Sequence, residues 1–302
     1  MWFKNIRLYV LTEPFQHSPE ALEEKLAEHL FQPCSSYDKS SLGWVSPLGK
    51  EGEMLTHTVG DYTMICAQEQ ERLLPVSVVR DATEERVAEL EERQARKVYR
   101  KERRQIQEDV FATLLPQAFV RNQQLYAYLA PRENLLVVDT PSAPKAEALL
   151  NLLRESLGSL PVAQPDVKRS PGDVMTRWLR DHKATHKFTI EHDCELYNPL
   201  DGSNVVRCKG QDLLTEELQV MLAAEKRVKS LGVMWNNILS CIVHDDLTVK
   251  RLRFEGMQED QGDPDPENPA QQFDQEFALM SMELAGFFKD YFAAFGGLRN
   301  AD

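Results

Sequence analysis

Cysteine is scarce in this chain and has no motif-like spacing. The five cysteines of the 302 residues are Cys34, Cys66, Cys194, Cys208 and Cys241. A disulfide framework or a zinc site needs paired or closely spaced thiols, so this usage indicates buried free thiols in a reducing cytosol. The sequence also lacks an uninterrupted run of 18 apolar residues and the charged-then-apolar start of a secretory signal. We therefore expect a cytoplasmic protein without a membrane partner.

Catalytic motifs are missing as well. The sequence has no glycine-rich phosphate loop, no GxSxG and no HExxH, the patterns that mark many nucleotide, acyl-transfer and zinc-protease sites. Three weaker groups of ligand-type residues are better explained as strand packing, a polar hairpin and an acidic linker. They are His186 with His192 and Cys194, His244 with Asp245 and Asp246, and Asp263 with Asp265 and Glu267. We predict a protein that is not an enzyme and has no metal or cofactor; a metal-dependent nuclease using His244 is the weakest alternative.

Positive charge is in deficit overall but concentrated in one place. The chain has 35 Lys and Arg against 48 Asp and Glu, a formal net charge of −13. Residues 93–104 contain seven bases and one acid, a local charge of +6, so the remainder of the chain carries −19. An acidic molecule with one cationic surface can hold a polyanion at that surface and repel it elsewhere.

The chain is organised around residues 84–108. This segment is rich in helix formers and lacks Gly and Pro, which predicts a single helix of about 38 Å. At ~100° per residue the seven bases share one face of that helix, where like charges repel. Repulsion left uncompensated indicates an anionic ligand such as a phosphate backbone. The bases predicted to contact DNA are Arg93, Arg96, Lys97, Arg100, Lys101, Arg103 and Arg104.

A function of another class fits the same segment. Five acids, Glu84, Glu85, Glu89, Glu91 and Glu92, precede the bases. A helix with one acidic and one basic half can pair with an antiparallel partner helix. This alternative predicts a protein-docking adaptor that does not bind DNA.

Hydrophobic periodicity predicts α+β structure on both sides of this segment. A strand, a helix capped by Ser18 and short strands with a Gly60-Asp61 hairpin signal come before it. A second hairpin and an amphipathic helix closed by Gly158 follow. Further along, an antiparallel meander spans 228–254, and an apolar helix follows an acidic linker at 255–276.

The domain organisation follows from two composition changes. Pro75 begins the helical region, in which Thr83 is expected to cap the long helix after a break at 81–83, and the proline-rich segment 161–171 is the best boundary. We predict an α+β fold with mixed or antiparallel sheets and a projecting helical tip. The predicted domains are a central domain from 1–74 plus 120–161, the tip from 75–119 and a base from 162–302.

Six segments, in order, resemble the bacterial recombination-associated protein RdgC family over essentially the whole chain. They are MWFKNIRLYVLT at the start, Gly43-Trp44-Val45 with Leu55-Thr56-His57, EERQARKVYRKER, LLPQAF, SLGSLP, and Lys209-Gly210-Gln211-Asp212-Leu213. The resemblance implies a horseshoe-shaped subunit and a homodimer closed as a ring around DNA. It also implies binding of single- and double-stranded DNA without sequence preference, antagonism of the RecA recombinase by occlusion, and a nucleoid-associated location.

The resemblance also implies contact residues. Phe119 matches the tip contact between subunits, although burial in a local core is the alternative for this side chain. Lys209 and Gln211 match the contact at the other closure, with Gly210 where relatives carry a second base. We expect Lys226, Arg227 and Lys229 to extend the DNA-binding surface into the base.

Overall fold

A computed structural model describes residues 2–185, 187–255 and 269–299 of the chain. Within these residues the chain forms two antiparallel sheets and seven α-helices, which confirms the predicted α+β class. His186 and most of the acidic linker, residues 256–268, lie outside the described residues.

The first sheet is built from the N-terminal half of the chain. Its strands are β1 (Arg7–Leu11), β2 (Ser40–Val45), β3 (Thr56–Val59), β4 (Tyr62–Leu73), β5 (Phe119–Ala130), β6 (Leu135–Val138) and β7 (Val162–Ala163). They are ordered β2-β4-β5-β6-β1-β7, and β3 pairs with β4. Helices α1 (Pro19–Ala27) and α4 (Ala143–Leu157) bury their leucines against this sheet, around Trp44 and Ile65.

Local signals placed these elements correctly. The Ser18 hydroxyl accepts a hydrogen bond from the Ala21 amide at 3.2 Å, and Pro19 occupies the first turn of α1. Gly60 turns the β3–β4 hairpin with φ of 59°, and Gly158 ends α4 with φ of 77°, conformations that a residue with a Cβ adopts at a cost. The predicted caps at Ser18 and Gly158 and the Gly60-Asp61 hairpin are therefore confirmed.

The second sheet is built from the C-terminal half. Its strands are β8 (Phe188–Asn198), β9 (Asp201–Cys208), β10 (Arg227–Trp235), β11 (Leu239–His244) and β12 (Val249–Phe254), in the order β12-β11-β10-β8-β9. Three helices accompany it: α5 (Pro171–Arg180), α6 (Glu216–Ala223) and α7 (Pro269–Ala294). The predicted meander corresponds to β10, β11 and β12.

Both sheets contribute to one core through α7. Its apolar side, including Phe277 and Phe287, is buried in a cluster that contains Tyr128 of the first sheet and Trp235 of the second. The backbones of the two halves also meet, because the Ile6 amide donates to the Val249 carbonyl at 2.7 Å and the reverse bond measures 3.0 Å. Burial of α7 between two sheets explains why its sequence is so rich in phenylalanine.

The helical excursion lies between β4 and β5. These strands pair over their full lengths, from Thr63 opposite Leu129 to Leu73 opposite Phe119. At the end of this ribbon the chain forms α2 (Val76–Gln94), α3 (Arg100–Leu114) and a 3-10 turn (Leu115–Gln117).

The prediction of one continuous helix over 84–108 is wrong. Helix α2 ends at Gln94, Ala95 adopts a left-handed conformation with φ of 50°, and α3 begins five residues later. Folding back lets α2 and α3 pack together and bury Val87 and Ile106. A lone helix of that length would leave these apolar groups in water.

The predicted helix break at 81–83 is also wrong. Thr83 lies inside α2, where it is buried and its hydroxyl donates to the Val79 carbonyl at 2.6 Å. A hydroxyl that bonds to the carbonyl four residues earlier does not act as a cap.

Candidate nucleic-acid interface

The seven predicted bases cluster around the turn of the cationic hairpin, which we define as α2, α3 and the linking residues 95–99. Arg93 lies in the last turn of α2, Arg96 and Lys97 lie in the link, and the other four occupy the start of α3. All seven side chains are exposed. They do not share one face of one helix, because the turn at Ala95 reorients the chain, but the turn keeps them close together.

Four of the seven bases are paired with carboxylates of the hairpin itself. The ion pairs are Arg96–Glu102 at 2.5 Å, Lys97–Glu91 at 2.8 Å, Arg103–Glu84 at 3.3 Å and Arg104–Glu108 at 3.2 Å. The hydrogen bond from Lys97 lowers the pKa of Glu91, and that from Arg96 lowers the pKa of Glu102. Both carboxyl groups are therefore ionised near neutral pH and compete with any bound anion.

These acids also bear on the adaptor alternative. Glu84 and Glu91 of the acidic half pair with Arg103 and Lys97 of the basic half. The acidic and basic halves thus form ion pairs with each other within one chain, so the hairpin does not require a partner helix to neutralise them.

The remaining three bases are available to a ligand. Arg93, Arg100 and Lys101 form no ion pair with residues 2–185, 187–255 or 269–299. The four ion pairs around them are exposed, and exposed pairs stabilise a protein weakly because water hydrates both groups and ordering long side chains costs entropy. A phosphate can therefore replace a carboxylate at these pairs.

Tyr99 is a candidate residue that sequence reasoning missed. It stands immediately before α3, among the bases, and 75% of its surface is exposed. Exposed aromatic rings beside cations stack on nucleobases in single-strand binding proteins. The sequence feature that could have identified Tyr99 is an aromatic residue inside a run of basic residues.

The three cations predicted to extend the DNA-binding surface, Lys226, Arg227 and Lys229, lie at or just before the start of β10 in the second sheet. Lys226 Nζ donates to Asn204 Oδ1 at 2.7 Å, and the Arg227 guanidinium contacts Asp173 of α5. Lys229 Nζ lies 3.3 Å from Glu195 Oε1. The seven hairpin cations thus lie on helices between two strands of the first sheet, whereas these three lie at or just before β10 of the second sheet.

Phe119 is exposed at the end of the strand ribbon. It is the first residue of β5, 85% of its surface is accessible, and Leu73 lies opposite it on β4. Val76 and Val120 nearby are also exposed. The alternative in which Phe119 is buried in a local core is wrong, and several apolar side chains around it are open to solvent.

Arg72 holds the chain that leads into Phe119. Its guanidinium donates two hydrogen bonds to the Ser35 carbonyl and one each to the carbonyls of Leu115, Pro116 and Ala118, at 3.1 to 3.4 Å. Five donors fixed in a plane suit a guanidinium group to such a turn. Sequence reasoning missed Arg72, because its carbonyl partners come together only in the fold.

The predicted contact loop at Lys209 and Gln211 is exposed and held by one carboxylate. Asp193 accepts a hydrogen bond from the Gly210 amide at 2.9 Å and pairs with Arg251 at 3.2 Å. Gly210 has φ of 61°, so the backbone would be strained if a lysine or arginine replaced it. The loop is therefore ordered on the edge of the second sheet.

The groups of ligand-type residues offer little to a metal. Burial lowers the pKa of His244 to about 4, so its imidazole is neutral at physiological pH. Asp246 pairs with Arg7 at 3.3 Å and accepts the Thr248 amide, which makes it part of a turn. In the described part of the chain, no three His, Cys, Asp or Glu residues are grouped so that they could hold a metal ion.

The fold and the candidate site together define a class of protein: a two-sheet α+β protein with a cationic helical hairpin between β4 and β5 and an exposed Phe119 at the end of that strand pair. None of the helices in the described ranges is long and apolar enough to cross a membrane.

Comparison with known proteins gives the family. The profile described as "Putative exonuclease, RdgC" matches residues 1–298. Proteins named "Recombination-associated protein RdgC" from Tolumonas auensis, Aeromonas hydrophila and Pseudomonas aeruginosa are 42%, 43% and 43% identical to this chain. These alignments cover 98% of this chain and 98% or 99% of each relative. The chain belongs to the RdgC family, and the resemblance seen in its sequence is confirmed.

Proposed function

We propose that this protein is a non-enzymatic, sequence-independent DNA-binding protein with a role in recombination. Its homodimer would close as a ring around DNA and limit RecA-mediated recombination by occlusion, at the nucleoid. The names of its relatives support the recombination role. The observation that carries DNA binding is the cluster of seven exposed bases at the turn of the cationic hairpin in a chain of net charge −13.

The chemistry of the hairpin favours phosphates as its ligand. Guanidinium and ammonium groups that meet phosphates release condensed counterions whatever the base sequence. Residues 100–104 at the start of α3 contain no Asn or Gln, the side chains that pair with adenine in the major groove. Binding without sequence preference follows.

The exposed apolar tip supports self-association. Phe119 and its cross-strand partner Leu73 are both exposed, and so is Val76 close by in sequence; exposed apolar groups of this kind mark protein contacts. We propose that Phe119 meets its counterpart in a second subunit and that Lys209 and Gln211 form the other closure. In this proposal residues 75–119 are the tip, 162–302 are the base, and Lys226, Arg227 and Lys229 add to the DNA-facing surface.

Encirclement has a direct test. A covalently closed DNA circle and the same DNA linearised are bound at low salt and then challenged with high salt. A closed ring should stay on the circle and slide off the linear ends. Equal retention on both forms would contradict encirclement, while leaving DNA binding intact.

The site assignment is tested with the three bases that have no ion pair. The triple variant Arg93→Gln, Arg100→Gln and Lys101→Gln should bind duplex at least tenfold more weakly. The slope of log affinity against log salt should fall by up to about 2.7, because each duplex phosphate contact contributes about 0.9.

A charge-matched control separates local contacts from net charge. Lys39, Lys50 and Lys289 are exposed bases outside the hairpin, and their replacement by Gln removes the same charge. If this control lost as much affinity as the hairpin variant, the hairpin would not be the binding site.

A further inference from the structure

A cleft in the C-terminal half lies between the end of α5, the β8–β9 turn and the segment that joins α6 to β10. Its volume is about 710 Å³, within the ~300–1,000 Å³ typical of sites that enclose small ligands. The cleft is formed by elements of the second sheet and its helices, so it is distinct from the cationic hairpin.

Four bases line the cleft, against two acids. Arg177 and Arg180 stand three residues apart on α5, which places their like charges side by side. Neither forms an ion pair with any residue in the described ranges. Arg227 contacts the acid Asp173, whereas Lys226 donates to the neutral amide oxygen of Asn204 and forms no ion pair with the described residues. The cleft therefore presents an excess of positive charge, with two guanidinium groups unpaired.

Apolar side chains also line the cleft. Leu200 is one of them, and 94% of its surface is exposed. Its backbone amide donates to Asn198 Oδ1 at 2.9 Å, so the turn that carries it is held in place. Leu222, Ala223 and Ala224 complete the apolar lining.

We propose that this cleft binds one unpaired nucleotide of single-stranded DNA. The phosphate would lie between the guanidinium groups of Arg177 and Arg180, and the base would lie against Leu200 and Ala224. The inference rests on the proposed DNA-binding function and adds to it a site that selects single strands.

The selection of single strands has a physical reason. In a duplex both faces of each base are covered by stacking, so a base can enter a cleft only after the duplex is opened. Single-strand sites combine cations along the backbone with side chains, mostly aromatic, that cover the faces of the bases; in this cleft the covering side chains are aliphatic. The cleft combines cations with the aliphatic side chains of Leu200 and Ala224 in a concave site, whereas the hairpin exposes Tyr99 among its cations.

The test compares a fluorescent oligothymidylate with a duplex of equal length, by anisotropy at the same salt. The double variant Arg177→Gln with Arg180→Gln should bind the single strand about tenfold more weakly, with a salt slope lower by about 0.7, the contribution of one phosphate. Its affinity for the duplex should change less than twofold. Leu200→Ser should weaken single-strand binding about threefold without changing the salt slope, because it removes an apolar contact.

A control with the same change in charge, Lys39→Gln with Lys50→Gln, uses two exposed lysines that do not line the cleft. Circular dichroism melting curves establish that each variant is folded. Equal loss on single strand and duplex, or no loss on either, would overturn the single-strand site.

Failure of this inference can be told apart from failure of the proposed function. If the hairpin variant Arg93→Gln, Arg100→Gln and Lys101→Gln still bound duplex normally, the hairpin assignment would fail. The cleft is judged only by the difference between single strand and duplex in its own variants.

Discussion

The ion pairs inside the cationic hairpin predict a variant that binds DNA more tightly than the natural protein. Glu91 accepts a hydrogen bond from Lys97, and Glu102 accepts two from Arg96, at distances of 2.5 to 2.8 Å. A phosphate that reaches either base must displace a carboxylate. Replacing both acids, Glu91→Gln with Glu102→Gln, should therefore raise the affinity for duplex DNA.

The size of the gain can be bounded from the number of bases released. Each additional phosphate contact adds about 0.9 to the slope of log affinity against log salt, which is about eightfold at 0.1 M salt. Two released bases give a limit of roughly 60-fold, and we expect a gain of between about 5-fold and 60-fold with a slope steeper by up to about 1.8. Glutamine retains an oxygen that can accept from the Val98 amide, which Glu91 binds at 2.9 Å, so the turn is preserved.

Fluorescence anisotropy across a salt series provides the measurement. Glu85→Gln with Glu92→Gln is the matched control, because these exposed acids of α2 pair with none of the seven bases. It makes the same change in net charge and should raise affinity only about twofold. Equal gains from the two double variants would show that overall charge, not the pairing of specific bases, governs binding, and the competition argument would be refuted.

Three further predictions concern the tip and the second sheet. Arg72→Met should lower the free energy of unfolding measured in urea by about 1–3 kcal/mol, since five hydrogen bonds from one charged group are lost; an unchanged midpoint would contradict this role. Phe119→Ser should weaken dimerisation at least tenfold in analytical ultracentrifugation without altering the melting temperature, because the ring is exposed in the subunit; an unchanged dimer would contradict the tip contact. The pKa of His244 is lowered to about 4 from an ordinary value near 6.5, so the unfolded chain takes up this proton first as pH falls. Its contribution to stability is full above about pH 6.5 and is lost progressively down to about pH 4. His244→Asn should therefore make the urea unfolding midpoint depend less on pH between pH 7 and pH 4. The same dependence on pH as in the natural protein would contradict the assignment.

Sequence reasoning succeeded where the decisive interactions are local. Ser18, Gly60 and Gly158 act within a few residues of their own positions, and the meander of the second sheet follows from alternation along each strand. The concentration of cations in residues 93–104 could also be seen without a structure, because it depends only on composition.

The helical hairpin could not be predicted from its sequence, because it depends on contacts between residues that are distant in the chain. No glycine or proline marks the turn at Ala95, so nothing local distinguished two packed helices from one long helix. The pairing of Glu84 with Arg103, 19 residues away, and the convergence of three carbonyls on Arg72 likewise arise only when separate elements meet.

The sequence by itself determined the α+β class, most element positions, the family and the location of the positive charge. The tertiary structure alone decided how that charge is presented: which bases are neutralised by neighbouring acids, which stay free, and that Phe119 faces solvent. Helix caps and strand alternation are set by neighbours in the chain, whereas charge pairing and exposure depend on which surfaces are left uncovered after the core has formed.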